Sequence, residues 1–220
     1  MENEQKRILL IGGGGHCHSV LDSLCSTNEY DQIGIVARDT ENLKELQADD
    51  LVSNYLVGID GELPKLYEGG WNYAFITLGS IGNSKVRKKI YALIKQIGFI
   101  VPTFIDDSAT VSKKATIGEG VFIGKKAVVN IGSSIGNCCI INTGSIVEHD
   151  CSIGSFAHIS PGAVVCGQVK VGNDSHVGAA SVVRQGIVIG ENVLIGAGSV
   201  VVKDVPDNVK AYGNPCKVVE

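Results

Sequence analysis

An uninterrupted six-residue repeat in the second half of the chain constrains its fold more than any other feature. From Ile105 to Pro206 the sequence divides into 17 consecutive blocks of six, and the first residue of every block is Ile or Val. The fifth residue is always Ala, Ser, Cys, Val or Ile, and Gly is frequent at the second. β-Branched residues at this period predict short strands joined by regular corners, where glycine is favoured.

Such strands can stack as coils at the ~4.8 Å strand spacing, with the first-position side chains inside. A narrow interior agrees with the composition, since only 12 of 220 residues are aromatic and the repeat contains only Phe122 and Phe156. The pattern resembles the hexapeptide-repeat left-handed parallel β-helix, whose coils take three blocks each. The 17 blocks therefore predict between five and six coils.

The first hundred residues predict a small Rossmann-like α/β domain. Apolar runs at 7–11, 33–37 and 73–79 indicate strands, while 17–25 and 83–96 show helical spacing. Strands that alternate with helices imply a parallel sheet. We therefore expect two domains, residues 1–104 with the α/β fold and residues 105–220 with the β-helix.

Four consecutive glycines follow the first predicted strand and precede the first predicted helix. Gly12–Gly15 would leave backbone amides at a helix N-terminus, a ready site for phosphate. The run is not the dinucleotide fingerprint, because the third glycine position falls on Cys17 or His18. A diphosphate on a smaller nucleotide, or a tight turn without a ligand, remains open.

Charge and cysteine content suggest which binding partners and which cellular compartment to expect. The net charge is -4 and neither half is basic, so no electrostatic surface for nucleic acid is expected. Seven cysteines without a C-x-x-C pair suggest free thiols in a cytoplasmic protein. No apolar stretch reaches the length of a membrane span.

Three histidines in the repeat are candidates for a catalytic role. His149 is at block position three, between Glu148 and Asp150, while His158 and His176 are both at position six, 18 residues apart. A carboxylate beside an imidazole can fix its tautomer and stabilise the imidazolium formed on proton abstraction. His149 is therefore the candidate general base, and the two other rings should lie about one strand spacing apart.

Three motifs together resemble a bacterial sugar acetyltransferase family. They are the N-terminal IGGGGH, the segment INTGSIVEHDC followed by His158, and the ending GNPCK. The family includes the UDP-4-amino-sugar N-acetyltransferases of bacillosamine synthesis and the sialic-acid O-acetyltransferases. The resemblance covers essentially the whole chain and implies an acetyl-CoA-dependent enzyme that uses no metal and transfers acetyl directly in a ternary complex.

The resemblance also implies site residues in the β-helix. His149 would be the general base, with Glu148 and Asn142 orienting it or contacting the acceptor. The residues implied to lie at acetyl-CoA are His158, Gly167, Gly196, Ala197 and Lys217, of which Gly167 offers an oxyanion-type amide and Lys217 belongs to a C-terminal tail that covers CoA. The implied assembly is a homotrimer whose active sites lie between neighbouring β-helices.

The N-terminal domain would hold the nucleotide-sugar acceptor. The residues implied to bind it are Gly13, Gly14, Gly15, His16, Asp39 and Asn83. This chain departs from the family after the second strand, where Ala37 and Arg38 replace residues that are usually acidic. We favour N-acetylation of a UDP-4-amino-sugar, and O-acetylation of a sialic acid or another sugar is the alternative.

Two other classes fit the same fold. A zinc hydratase would need three converging histidines, of which His158 and His176 could supply two. A scaffold without catalytic activity is also compatible with a β-helix. A cysteine nucleophile is disfavoured, because Cys139 and Cys151 fall at the core position five.

Overall fold

The computed structural model describes residues 5–219, which form two compact units. The first unit runs to Gly79 and includes Lys85–Pro102, and the second consists of Ser80–Ser84 and the chain from Thr103 onward. The second unit thus begins two residues before the boundary expected at 105. No pattern in the sequence predicts that Ser80–Ser84 joins it.

The first unit is a four-stranded parallel sheet with helices between its strands. Its elements are β1 (Arg7–Ile11), α1 (Gly15–Thr27), β2 (Gln32–Ala37), α2 (Thr40–Leu46), β3 (Leu56–Ile59), α3 (Leu63–Glu68), β4 (Tyr73–Ile76) and α4 (Lys85–Ile97), with single 3-10 turns at Ser53–Tyr55 and Asp60–Glu62. The strand order is β3-β2-β1-β4, and every pairing is parallel. This confirms the expected α/β parallel sheet. Between β2 and β4, where no element was expected, the structure contains α2, β3 and α3.

The second unit contains, within residues 103–219, 17 two-residue strands at intervals of six. They are β5 to β21: Phe104–Ile105, Thr110–Val111, Thr116–Ile117, Phe122–Ile123, Val128–Val129, Ser134–Ile135, Ile140–Ile141, Ile146–Val147, Ser152–Ile153, His158–Ile159, Val164–Val165, Lys170–Val171, His176–Val177, Val182–Val183, Val188–Ile189, Leu194–Ile195 and Val200–Val201. They form three parallel sheets. The expected left-handed β-helix is confirmed, and β22 (Lys210–Tyr212) and β23 (Lys217–Val219) extend one of its sheets.

Each strand pairs with the strand 18 residues away, so three blocks make one coil. Ile141, for example, pairs with both Ile123 and Ile159. The first-position side chains from Ile123 onward are buried in a single core together with the fifth-position residues. Ile105 differs, with 43% of its surface exposed, because β5 is the end strand of its sheet.

Small polar residues in the fifth position fit this core because their hydrogen bonds are made to the backbone. The Ser133 hydroxyl donates to the Glu148 carbonyl at 2.6 Å, and the Ser181 hydroxyl donates to the Gly196 carbonyl at 2.9 Å. A buried hydroxyl without such a partner would be destabilising. Across residues 5–219, no helix has the length and apolar composition needed to cross a membrane.

A matched pair of valines tests which side chains fill the interior of the β-helix. Val177→Ala removes a side chain that is fully buried in the core, so we expect a loss of about 1.5–3 kcal/mol in the free energy of unfolding. Val188→Ala changes a half-exposed valine and should cost less than about 0.5 kcal/mol. Chemical denaturation of both variants measures the difference, and equal losses would contradict the assignment of the core.

Candidate active site

His149 and Asp150 form a pair on the corner between β12 and β13. The Nδ1 atom of His149 lies 2.9 Å from Oδ2 of Asp150, and about two fifths of the imidazole is exposed. A carboxylate at Nδ1 favours the tautomer with hydrogen on Nδ1, which leaves the lone pair of Nε2 available. The exposed ring can therefore accept a proton at Nε2.

Two glycines in neighbouring coils make room for this pair. Gly167, one coil after His149, lies beneath the imidazole, and a Cβ added there would be 2.5 Å from Nε2. Gly132, one coil before Asp150, has φ +74°, and a Cβ there would collide with the Asp150 carboxylate. The 18-residue register thus places a residue without a side chain on each side of the dyad.

Glu148 does not contact the ring of His149 directly. Its carboxylate instead accepts a hydrogen bond from the backbone N–H of His149 at 3.2 Å. The carboxylate that holds the imidazole belongs to Asp150, which the resemblance did not single out. The sequence signal was present, because Asp150 is the other acidic neighbour of His149.

A second cluster of polar residues surrounds His158, on the sheet that contains β11, β14 and β17. The Nε2 atom of His158 lies 3.1 Å from Nδ2 of Asn142, and its Nδ1 lies 2.8 Å from the Ser80 carbonyl. The His158 and His176 rings meet edge to face at 4.8 Å. Both are buried, and burial lowers the pKa of His176. Asn142 therefore contacts His158 and not His149.

The remaining residues expected at CoA lie toward the C-terminal end of the β-helix. Gly196 lies on the corner after β20 against the ring of Tyr212, and Ala197 beside it is exposed. Lys217 is an exposed residue of β23, which pairs antiparallel with β22. These residues form a region separate in sequence from the His149 corner, and only Gly167 joins His149 directly.

The glycine run of the first unit borders a cavity of about 340 Å³ at the carboxyl ends of the strands. Gly13 and Gly14 line it, and Gly15 and His16 begin α1. The Thr77 hydroxyl fixes the loop by donating to the Gly12 carbonyl at 2.5 Å. A larger cavity of about 490 Å³ lies against α1, but the carboxyl ends of parallel strands are the usual ligand site in such sheets.

Asp39 and Asn83 have other surroundings than the resemblance implied. The Asp39 carboxylate caps α2 by accepting from the Asn42 N–H at 2.8 Å and also pairs with the Arg38 guanidinium at 2.7 Å, contacts that lower its pKa. Asn83 is an exposed residue of Ser80–Ser84 and so belongs to the second unit. The cavity lining instead includes Arg38, Asn42 and Asp60, which the motifs did not indicate.

The cysteines of the β-helix core serve structure. The Cys139 thiol donates to the Gly154 carbonyl at 3.0 Å, and the Cys151 thiol donates to the Cys166 carbonyl at 3.1 Å. Burial also raises the pKa of Cys151, which disfavours the thiolate. Within residues 5–219 there is no group of three or more His, Cys, Asp or Glu side chains arranged to hold a metal ion.

Family models match both parts of the chain. The PglD N-terminal domain matches residues 7–94. The hexapeptide repeat of succinyl-transferase matches residues 114–149, and the bacterial transferase hexapeptide with six repeats matches residues 168–203. The α/β unit and the β-helix unit thus each correspond to a known family.

Solved structures similar to this chain extend over nearly its whole length. A variant of perosamine N-acetyltransferase from Caulobacter crescentus, in complex with CoA and GDP-perosamine, is 34% identical, with a TM-score of 0.87 over 97% of this chain and 96% of that one. The acetyltransferase domain of PglB from Neisseria gonorrhoeae, in complex with acetyl coenzyme A, is 30% identical, with a TM-score of 0.86 over 98% of this chain and 100% of that one. The chain belongs to the acetyl-CoA-dependent sugar N-acetyltransferases of the hexapeptide-repeat superfamily. The family resemblance read from its three motifs is confirmed.

A methyl group at position 167 should disable the His149 corner. Gly167→Ala would push the imidazole from its place, and misplacement of a reacting group by about 1 Å can lower turnover ~10²-fold. Gly162→Ala is the control, because its Cβ meets nothing within 4 Å although φ is +67°. We expect the control to lose stability and keep its turnover, as measured by CoA release and thermal melting. Equal turnover in both variants would contradict the role of Gly167.

Proposed function

We propose that this enzyme transfers the acetyl group of acetyl-CoA to the amine of a 4-amino sugar carried on a nucleoside diphosphate. The observation that carries the proposal is the His149–Asp150 pair seated above Gly167. It supplies an exposed base of fixed tautomer above Gly167, a backbone position that has no side chain. The similarity to enzymes solved with CoA, acetyl-CoA and GDP-perosamine supports the same chemistry here.

The reaction needs one proton to move between two substrates. Nε2 of His149 accepts a proton from the acceptor amine as the nitrogen attacks the thioester carbonyl of acetyl-CoA. Asp150 holds Nδ1–H and stabilises the imidazolium. The tetrahedral intermediate then collapses, the carbon–sulfur bond breaks, and the CoA thiolate takes the proton back from His149. No acyl-enzyme is formed.

The backbone at Gly167 is the proposed donor to the oxyanion. A backbone amide aimed at the carbonyl oxygen stabilises the negative charge that develops on it in the intermediate. With no side chain at 167, the imidazole can lie directly over the main chain, next to the proposed oxyanion donor. The base and the oxyanion donor would then act on the same tetrahedral carbon.

A homotrimer would complete the site. In one chain, His149 lies on a corner of the β-helix, whereas Asn142 and His158 lie half a coil away on a different sheet. A neighbouring copy could bring its own Asn142–His158 group, together with Gly196, Ala197 and the tail that carries Lys217, against the His149 corner. Acetyl-CoA would then bind between two β-helices, which matches the arrangement implied by the family.

The α/β domain, residues 1–104, is the proposed holder of the acceptor. Its cavity lies beside Gly13–Gly15 and the start of α1, where backbone N–H groups and the helix dipole favour a diphosphate. Residues 105–220 carry out acetyl transfer. A cytoplasmic location is proposed because the seven cysteines are free, which suits a reducing compartment.

An acceptor panel tests the reaction class. The purified enzyme is incubated with acetyl-CoA and, separately, UDP- and GDP-linked 4-amino sugars, free and CMP-activated sialic acids, and serine. We expect CoA release and a product one acetyl group heavier only with nucleotide-linked amino sugars. Acetylation of a sialic acid hydroxyl, with no transfer to any amino sugar, would contradict the proposal in favour of the O-acetyltransferase alternative.

A comparison of two histidines tests the base. His149→Ala should lower turnover ~10²- to 10⁴-fold, the usual range for loss of a general base. His18→Ala is the matched control, because His18 also contacts a carboxylate, that of Asp49 at 3.0 Å, but lies on α1 outside the proposed machinery. Near wild-type turnover of a folded His149→Ala enzyme would remove His149 from the mechanism.

A further inference from the structure

The cavity of the α/β unit extends across the carboxyl ends of the four strands. Its wall includes the loop after β1 at Gly12–Gly14, Arg38 after β2, Asp60 after β3 and Leu78 after β4. Because the order is β3-β2-β1-β4, Asp60 and the glycine loop are two strand spacings apart, roughly 10 Å. That separation suits the base and the phosphates of one nucleotide.

The phosphate end of such a nucleotide would lie at the glycine loop. A Cβ added at Gly14 or Gly15 would meet nothing within 4 Å, so the backbone there faces open space. Gly14 is the N-cap of α1, a helix of 13 residues. The base would then lie toward β2 and β3, where the cavity wall is polar.

Asp60 lines that end of the cavity, and one of its carboxylate oxygens is unsatisfied. Its Oδ1 atom is buried and has no hydrogen-bond partner among the described residues. Glu62, the other acidic residue of this turn, is already engaged, since its carboxylate accepts from the Ile59 N–H at 3.1 Å. A buried carboxylate oxygen without a partner is costly, and a ligand that brings a donor removes the cost.

The two common nucleotide bases of activated sugars differ in what they offer to a carboxylate. Guanine has two adjacent donors, N1–H and the N2 amino group, which match the two oxygens of an Asp side chain. Uracil offers a single N3–H flanked by two carbonyl oxygens, which a carboxylate would repel. The Arg38 guanidinium can donate to a carbonyl of either base, so it does not discriminate.

We propose that Asp60 makes this cavity selective for guanine, so that the acceptor is a GDP-linked amino sugar. The inference rests on the proposed function and replaces the expectation of a uridine nucleotide. Ala37 and Arg38, at the end of β2, offer no carboxylate to a base. Base recognition then comes from the next strand of the sheet.

Because Asp60 must be ionised to accept from guanine, the preference for GDP over UDP should depend on pH. Burial raises the pKa of Asp60 to about 6, an effect increased by the Asp39 carboxylate and opposed by the Arg38 guanidinium. The carboxylate that accepts from guanine is present above that pH and is lost as the pH falls through it. The ratio of GDP to UDP affinity should therefore decrease between pH 7.5 and 5, and the shared diphosphate cancels from the ratio.

Calorimetric titration of the purified full chain with GDP and with UDP tests the proposal. At pH 7.5 we expect GDP to bind at least about 10-fold more tightly than UDP. Asp60→Asn should weaken GDP binding about 10- to 100-fold, the range for loss of a bidentate base contact. UDP binding should be unchanged or tighter, because an amide offers one acceptor and one donor to uracil.

The variant should fold, because replacing the half-buried carboxylate removes an unfavourable charge above pH 6. A thermal melt at least as high as that of the wild type checks this. Asp50→Asn, an exposed position outside the cavity, is the control and should bind both nucleotides as the wild type does. UDP binding as tight as GDP binding would overturn guanine selectivity and leave the proposed function intact. If neither nucleotide binds to an enzyme that still binds acetyl-CoA, the proposed function fails, and the selectivity fails with it.

Discussion

The parallel backbone ladder that repeats every 18 residues is the constraint on which the His149 corner depends. Neighbouring coils exchange main-chain hydrogen bonds: the Glu148 N–H donates to the Val165 carbonyl at 2.9 Å, and the Gln168 N–H donates back to the His149 carbonyl at 2.9 Å. Residues 18 positions apart are therefore forced into one column, whatever their side chains. Gly167 lies beneath His149 and Gly132 lies beside Asp150 because of this register. An insertion of one residue between His149 and Gly167 would place another side chain where the imidazole now lies.

The same backbone ladder determines which positions of each block face the core and which lie at the surface. Positions one and five fill the interior, which leaves positions two, three and four of every block at the corners. His149 and Asp150 occupy two of these corner positions, and Asp150 adopts φ 58° there. Side chains on such a corner keep their geometry, because the coils on either side fix the backbone that carries them. In the α/β unit, too, regular elements position the residues that follow them. The carboxyl ends of its strands place Arg38, Asp60 and the glycine loop around one cavity.

Much of this architecture could be predicted from the sequence, because its signals are local and periodic. The Ile/Val column from Ile105 gave the six-residue block, the resemblance to known β-helices gave three blocks per coil, and the acidic neighbours of His149 marked the proposed base. The partner of the ring could not be chosen from sequence, since Glu148 and Asp150 are equally close along the chain and only the corner geometry brings Asp150 to Nδ1. Asp60 could not be predicted as a cavity residue either, because the preceding strand β3 is short and lacks the apolar alternation that reveals a strand. The burial of His158 beside Ser80 likewise depends on a segment far away in sequence.

The most direct test of the account is a crystal structure of the enzyme with CoA and the nucleotide amino sugar that yields product. This dead-end complex shows where the acceptor amine lies. We expect the amine nitrogen to lie 2.6–3.2 Å from Nε2 of His149, the reach of a general base. We also expect the CoA sulfur to lie on the same corner, beside Gly167. An amine that contacts a different side chain, with His149 facing solvent, would contradict the account.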